Sequence, residues 1–259
     1  YLALVRCRKP AAKKIQKSIG KQLSYLRRNL ESIEKQLHRG KALTPTEQNR
    51  LIVIQKVYEQ QKFMYDNHTH SVPDRIVSLS QPWVRPIVRG KAGKPVEFGA
   101  KLDISVVDGF TRLEYLSFDA YNEAGTLRQT IEKYRERTGH YPERVLADKI
   151  YRNRDNLNFC KEHGIRLSGP ALGRPKKELP DLKQNYIDEC ERVEVERRFS
   201  LAKRKCNLGM VTAKLTDTAF HCIAMSIVVL NLRKLMLSLT AFLKQNFLYF
   251  GFFEFSIIQ

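Results

Sequence analysis

The stretch from Glu97 to Gly109 runs EFGAKLDISVVDG, and its alternation of side-chain types decides the local fold. Apolar residues at positions 98, 100, 102, 104 and 106 alternate with polar ones, which is the pattern of a half-buried β-strand. Asp108 and Gly109 then favour a two-residue turn, because both residue types tolerate positive φ. Leu113 to Ala120 is expected to return as the second strand of a β-hairpin.

Elements on either side of this hairpin extend the pattern. Upstream, Arg75 to Ser80 is predicted as a short strand that begins at Asp74. Downstream, predicted helices at 123–138, 156–163, 188–206 and 216–239 alternate with predicted strands at 145–150 and 165–167. Three meandering strands followed by this alternation predict an α/β domain with a mixed sheet flanked by helices. The order is similar to that of the ribonuclease-H-like fold.

The first 70 residues predict an α-helical hairpin. Apolar residues at 19, 23, 26, 30, 33 and 37 repeat in steps of four and three, a heptad seam. Thr44 to Glu47 combines a capping box with a proline at the first helical position, so a second helix should run to about Tyr65. Two interpretations remain open: a structural or dimerising hairpin, and a DNA-contacting arm.

A row of ionic residues marks the predicted long helix. Glu189, Arg192, Glu196 and Lys203 fall within an arc of about 60° on one helix face. Asp148 follows the apolar stretch 145–147. A carboxylate at a strand end, joined by acids and bases on a later helix, suits a site for divalent metal and phosphate.

Two-metal cleavage of a phosphodiester needs carboxylates from distant segments, because hard cations prefer oxygen ligands. The candidate catalytic and metal-binding residues are Asp74, Asp148 and Glu196. Asp108 is explained by its turn. Asp103, on the polar face of its strand, is the rival for the first acid.

The charge balance favours a polyanionic partner. The chain carries 46 Lys+Arg against 27 Asp+Glu, a formal net charge of +19 spread along the sequence. This pattern favours a broad nucleic-acid surface, although an anionic membrane or a ribosomal role is also compatible with it. Predicted basic loops at 81–95 and 168–182 would add to such a surface.

The remaining features place the chain inside the cell. Its five cysteines include no pair with zinc-ligand spacing, so reduced thiols in the cytoplasm are expected. The uncharged run Thr218 to Leu232 is too short for a comfortable membrane span and predicts a buried core helix. Residues 241–259 form an aromatic tail that is either an interfacial segment or an extension foreign to the fold.

Five segments together resemble the DDE transposases of bacterial insertion sequences, a ribonuclease-H-like group. They are SVPDRIVS from Ser71, FGAK from Phe98, ADKIYR from Ala147, GIRLSGP from Gly164 and EVERRF from Glu194. The likeness covers roughly residues 8–238. The family's helix signature is Tyr, two residues, Arg, three residues, Glu, six residues, Lys. Arg192, Glu196 and Lys203 fit it, and Glu189 stands where the family has Tyr.

The resemblance implies metal-dependent hydrolysis at the element's ends, followed by attack of the freed 3′-hydroxyl on target DNA. It implies two Mg²⁺ ions, with Mn²⁺ as a substitute, and a homodimer in the active complex near the nucleoid, without a membrane. The candidate DNA- and phosphate-binding residues are Arg192, Lys203, Arg85, Arg89, Lys149 and Arg152.

The predicted organisation is a helical hairpin arm at 1–70, a catalytic domain at 71–240 and the atypical tail at 241–259. The chain begins with Tyr1, and we expect it to be truncated at the N-terminus. Two alternatives to a transposase are a non-catalytic DNA-binding remnant and a general nuclease of the same fold.

Overall fold

The computed structural model describes residues 2–91, 94–169 and 182–249, and the chain divides into two compact units, Tyr1–Gly99 and Ala100–Gln259. Both units contain helices and strands, so the predicted α/β class is confirmed. In the described residues the strands pair as three separate two-stranded sheets, whereas the sequence predicted one mixed sheet.

The N-terminal unit is mainly helical. The helices are α1 (Leu2–Val5), α2 (Ala12–His38) and α3 (Pro45–Asp66). The capping box of α3 forms as predicted, because the Glu47 amide donates to Thr44 Oγ1 at 3.3 Å and the Thr44 amide donates to Glu47 Oε2 at 2.9 Å. Helices α2 and α3 are in contact, and Gly20 allows the Tyr65 hydroxyl to approach: a Cβ there would lie 2.6 Å from it.

The strand predicted at 75–80 is wrong, since these described residues pair with no strand. The Gln60 side chain of α3 satisfies the local backbone instead: it accepts from the Ile76 amide at 2.9 Å and donates to the Asp74 carbonyl at 3.1 Å. The predicted loop at 81–95 contains most of an antiparallel pair, β1 (Pro86–Lys91) with β2 (Lys94–Phe98). Val88 lies opposite Val96 and forms a β-branched cross-strand pair. The basic composition of this segment had favoured a loop instead.

The C-terminal unit begins with the predicted hairpin. β3 (Lys101–Val107) pairs antiparallel with β4 (Phe110–Ser117), and a bulge interrupts the register between Asp103 and Ile104. Asp108 and Gly109 have φ of 50° and 71°, the left-handed pair that a tight hairpin turn requires.

A small α/β layer follows the hairpin. It contains α4 (Leu127–Thr138), β5 (Arg144–Val145), α5 (Arg154–Glu162) and β6 (Arg166–Leu167), and β5 pairs parallel with β6. Its core consists of Leu127, Ile131, Cys160, Ile165 and Leu167. The strand predicted at 145–150 is thus much shorter than expected, and a 3₁₀ turn at Lys149–Tyr151 takes its second half.

Two long helices complete the unit, α6 (Leu182–Lys205) and α7 (Thr216–Tyr249). Asn231 of α7 accepts from the Thr111 amide at 2.8 Å and donates to the Thr111 carbonyl at 2.7 Å, which attaches α7 to β4. Most of the loop predicted at 168–182 lies outside the described residues, as do residues 250–259 of the aromatic tail.

Helix α7 begins where the sequence predicted a helix at 216–239 and runs ten residues further, but it is not the buried core helix that was expected. From Thr216 to Asn246 it is long and apolar enough to cross a membrane, judged by length and composition alone. Only 22% of its most apolar window is buried in the protein. The uncharged run ends at Arg233 and Lys234, whereas the helix continues through both residues.

Candidate active site

Arg192 of α6 brings together three carboxylates. Its Nη1 atom lies 2.6 Å from Asp148 Oδ1 and 3.2 Å from Glu196 Oε1, and its Nη2 lies 2.7 Å from Glu189 Oε1. The Arg192 side chain is 19% exposed, whereas those of the three acids are 63–65% exposed. The predicted ionic face of the helix therefore forms, and it meets Asp148 from a different segment.

Arg192 and Glu189 shift each other's pKa values. The hydrogen bond from Arg192 holds the pKa of Glu189 below its usual value. The bond to Glu189, supported by the charge of Asp148, raises the pKa of Arg192. Arg192 therefore stays charged, and its guanidinium offsets the repulsion between acids that lie close together.

A cavity of about 650 Å³ opens beside this cluster. Asp148, Glu189 and Arg192 line it, together with Glu123 and Lys149. The Lys149 charge also contributes to lowering the pKa of Glu189. Acids and bases thus face one open volume, as a site for a cation and a phosphate requires.

Asp148 is positioned by the end of the β5–β6 pair. The Ala147 amide donates to Ser168 Oγ at 3.0 Å, and the Asp148 carbonyl accepts from the Tyr151 amide at 3.0 Å in the 3₁₀ turn. Asp148 therefore lies just beyond a two-residue strand, at the carboxyl end of a parallel pair, where ligand-binding residues of α/β proteins are concentrated.

The Arg152 side chain supports the end of β6, the strand that pairs with β5 ahead of Asp148. Its Nη1 donates to the carbonyl oxygens of Leu167 and Ser168 at 2.5 and 2.7 Å. Gly169, with φ of 103°, makes room for it, because a Cβ at Gly169 would lie 2.9 Å from Arg152 Cδ. Burial lowers the pKa of Arg152. These contacts give Arg152 an internal bracing role, and its predicted phosphate contact stays a prediction.

Sequence reasoning missed the residue that anchors α6. The Asp188 side chain is 3% exposed and accepts from Arg166 at 2.5 and 2.7 Å and from Arg144 at 3.2 Å. The bond to Arg166 holds the pKa of Asp188 below its usual value. Arg144 and Arg166 lie opposite each other in the β5–β6 register. The available signal was the pair of arginines on the two strands that precede an acid-containing helix.

Asp103 lies in a second acidic cluster of the same unit. It is 8% exposed and accepts from Tyr121 Oη at 2.8 Å and Thr126 Oγ1 at 2.5 Å, and burial raises its pKa. Glu123 lines the cavity described above and pairs with Lys101 at 3.0 Å. Burial, followed by the charges of Asp103, Glu123 and Asp148, raises the pKa of Tyr151, so the two acidic clusters influence the same phenol.

Asp74 belongs to the N-terminal unit. It has φ of 49°, its side chain is 86% exposed, and Arg85 Nε lies 3.8 Å from its Oδ1. Arg85 Nη1 also donates to the Pro82 carbonyl at 2.6 Å. The role of Asp74 as the first acid stays a prediction.

Two other residues predicted to contact phosphate, Lys203 and Arg89, lie on different elements. Lys203 is exposed in the last turn of α6, two turns beyond Glu196. Arg89 belongs to β1, and its side chain lies outside the described residues. Both remain predictions as phosphate contacts.

The donors at this site suit a hard divalent cation such as Mg²⁺, which takes carboxylate oxygens. Asp148 Oδ1 and Glu196 Oε1 share Arg192 Nη1 at 2.6 and 3.2 Å, so they are at most about 5.8 Å apart. Within the described ranges, no three His, Cys, Asp or Glu side chains are grouped closely enough to hold a metal ion. Asp148 and Glu196 would therefore supply only part of the ligand set that such an ion takes.

A comparison with known protein families finds a match within the C-terminal unit. Residues 145–233 match the family described as the transposase DDE domain. The match includes Asp148, Asp188, Arg192, Glu196 and Lys203, and it supports a DDE transposase, as the sequence resemblance indicated. Searches of curated proteins and of solved structures found no match.

Proposed function

We propose that the protein is a DNA transposase that cuts at the ends of an insertion sequence and joins the freed 3′ ends to target DNA. The observation that carries this proposal is the meeting of Asp148 and Glu196, 48 positions apart, at one guanidinium inside the matched segment. A carboxylate at a strand end and another on a later helix suit metal-dependent phosphodiester chemistry, which uses acids from distant segments.

In this proposal Asp148 and Glu196 hold two Mg²⁺ ions, with Mn²⁺ as a substitute, and a third carboxylate completes the set. When bound, the ions supply activation of the attacking oxygen and stabilisation of the leaving oxygen. Arg192 orients both acids through charge-assisted hydrogen bonds from its Nη1 atom. Lys149 and Lys203 contribute positive charge for the DNA backbone, with Arg85, Arg89 and Arg152 as further candidates.

We retain Asp74 as the proposed third acid, with Asp103 as its rival. The 86% exposure of Asp74 suits a residue that must reach DNA and metal. Asp103 lies in the same unit as Asp148, but two hydroxyl donors already occupy its carboxylate. Separate substitutions at the two positions will discriminate between them.

The wider organisation follows from this function. Residues 1–70 would act as a helical arm on DNA, residues 71–240 as a ribonuclease-H-like catalytic domain, and 241–259 as an accessory tail. The partners would be the element ends and the target duplex, with two protomers in the active complex. Such a protein works in the cytoplasm, at the nucleoid.

The test is Mg²⁺-dependent cleavage of a plasmid that carries the coding sequence with its native flanks. Asp148→Asn and Glu196→Gln should each abolish cleavage and leave DNA binding nearly unchanged. Asp74→Asn should abolish it as well, whereas Asp103→Asn should not. Cleavage that survives Asp148→Asn would refute the proposed site.

A second candidate is a non-catalytic DNA-binding remnant. The ion pairs of Arg192 with Asp148 and Glu196 favour it, because they engage two carboxylates that a metal ion would need. A remnant would bind DNA with a steep salt dependence and never cut it. A general nuclease would cut plasmids with and without the native flanks equally.

A further inference from the structure

Helix α7 has two apolar faces on opposite sides. One face packs inward on β4 and α6 through residues that are at most 5% exposed, namely Ala219, Ile223, Ile227 and Leu230. At 100° per residue, the second face points about 180° away from the first. Core packing explains the first face and leaves the second unexplained.

The second face is a heptad seam. Its residues repeat in steps of three and four, and each is 47–62% exposed: Met225, Val228, Leu232, Leu235, Leu239 and Phe242. Val229, Met236 and Leu243 widen the seam on one side. A period of 3.5 residues with apolar residues at both repeating positions is the pattern that pairs one helix with another.

The charges of α7 lie off this seam. Lys234 turns toward the protein, where its Nζ lies 4.0 Å from the centre of the Phe110 ring. The positions flanking the seam on its polar side are Asn231, Ser238 and Gln245, none of which is charged. Two identical helices can therefore meet along the seam without opposing like charges, although the whole chain carries a net charge of +19.

Other features of α7 fit a protein partner better than lipid. A membrane-spanning helix is apolar all round, whereas Asn231 bonds to the Thr111 backbone in the middle of this one. A second copy of the chain carries the same seam with the same spacing. The nine exposed apolar side chains would together bury roughly 500–800 Å² per copy, close to the ~800 Å² per partner of a stable interface.

We propose that two copies of the chain associate through the exposed seam of α7, forming a two-stranded coiled coil. The seam lies on the face of α7 away from β4 and α6, so pairing would leave the packing of the C-terminal unit unchanged. The inference does not depend on the proposed transposase function, since it requires neither metal nor DNA.

The test is the mass of the full chain in solution, measured by sedimentation equilibrium without DNA across micromolar concentrations. The wild type should be dimeric. Leu235→Glu and Leu239→Glu should each raise the concentration for half-dissociation by at least about tenfold, because a charge would be buried in the seam. Both residues are at least 50% exposed, so the fold should tolerate the change.

The matched control is Leu237→Glu. Leu237 is 56% exposed on the same stretch of α7 but projects away from the seam, so this variant should dimerise like the wild type. A monomeric wild type would overturn the proposal, and so would a dimer that Leu239→Glu leaves intact or that Leu237→Glu disrupts equally. A monomer that binds lipid vesicles through α7 would establish the membrane alternative instead.

Discussion

Arg192 Nη1 lies 2.6 Å from Asp148 Oδ1, an ion pair that joins residues 44 positions apart and fixes α6 against the end of the β5–β6 pair. The same nitrogen contacts Glu196 one helical turn further on. A single guanidinium therefore links Asp148 to Glu196, whereas the buried Asp188 anchors α6 itself. Any change at Arg192 acts on two candidate metal ligands at once.

Replacing Arg192 by lysine should lower plasmid cleavage by at least about tenfold while changing stability by only about 1 kcal/mol. Lysine keeps the charge but loses the planar fork that contacts Glu189 and Asp148 together. The stability effect is small because the three acids are largely exposed and solvent screens each pair. Cleavage rate and urea unfolding measure the two effects separately.

The control for Arg192→Lys is Arg197→Lys, which alters another arginine of α6 that pairs with Glu194 in the same helix. It should leave both cleavage and stability near the wild-type values. If Arg192→Lys cleaves at the wild-type rate, the guanidinium fork plays no part in positioning the acids.

Asp188→Ala should destabilise the protein by about 2 kcal/mol in urea unfolding, because it leaves two arginines without their shared, buried carboxylate. The estimate is below that for a fully buried pair, since Arg144 and Arg166 remain about two-fifths exposed to water.

Glu191→Ala is the matched control for Asp188→Ala. Glu191 pairs with the same Arg144 at 2.6 Å, but its side chain is 44% exposed, so the loss should be at most about 1 kcal/mol. Equal losses from the two substitutions would show that burial of Asp188 is not what anchors α6.

The β-hairpin and the ionic face of α6 were predictable because each depends on local spacing. Asp108 and Gly109 specify their turn regardless of the rest of the chain, and the helix face follows from the rise and twist of an α-helix. Asp148 contacts that face through Arg192, and its role as a metal ligand stays a prediction.

The rest depended on contacts between distant residues. The strand expected after Asp74 is absent because the Gln60 side chain binds that backbone, and no periodicity in 75–80 reports a glutamine in α3. Asp188 was missed because its burial depends on two arginines from β5 and β6. Patterns in a single sequence indicate which face of a helix or strand is apolar or charged. They do not indicate which of these faces contact each other in the fold.

Gly169→Ala should cost more stability than Gly139→Ala, although both glycines have positive φ, 103° and 81°. At Gly139 a Cβ meets nothing within 4 Å, so only the backbone penalty of about 1 kcal/mol applies. At Gly169 the new atom would also displace Arg152, which braces the carbonyls of Leu167 and Ser168.

Urea unfolding of both glycine variants in the wild-type and Arg152→Ala backgrounds separates the two contributions. The extra cost of Gly169→Ala should shrink in the Arg152→Ala background, whereas the cost of Gly139→Ala should not change. An extra cost that persists without Arg152 would place its origin in the backbone alone.

Asp103 should make the stability of the protein fall as pH rises above about 4. Burial raises the pKa of Asp103 in the folded state above its usual value, so the folded state binds this proton more tightly than the unfolded chain does. The free energy of unfolding contributed by this group is therefore greatest at low pH and is lost as pH rises through the folded-state pKa.

Asp103→Asn removes that titration and keeps an oxygen that can accept from Tyr121 or Thr126. The stability of the wild type minus that of Asp103→Asn, from urea unfolding at a series of pH values, should therefore decrease from pH 4 to pH 7. Asp119→Asn removes an exposed carboxylate from the same unit and is the control with which the trend for Asp103→Asn is compared. A difference for Asp103→Asn that rises with pH would mean that Tyr121 and Thr126 stabilise the carboxylate more than its burial opposes it, and Asp103 would then become the stronger candidate for the third acid.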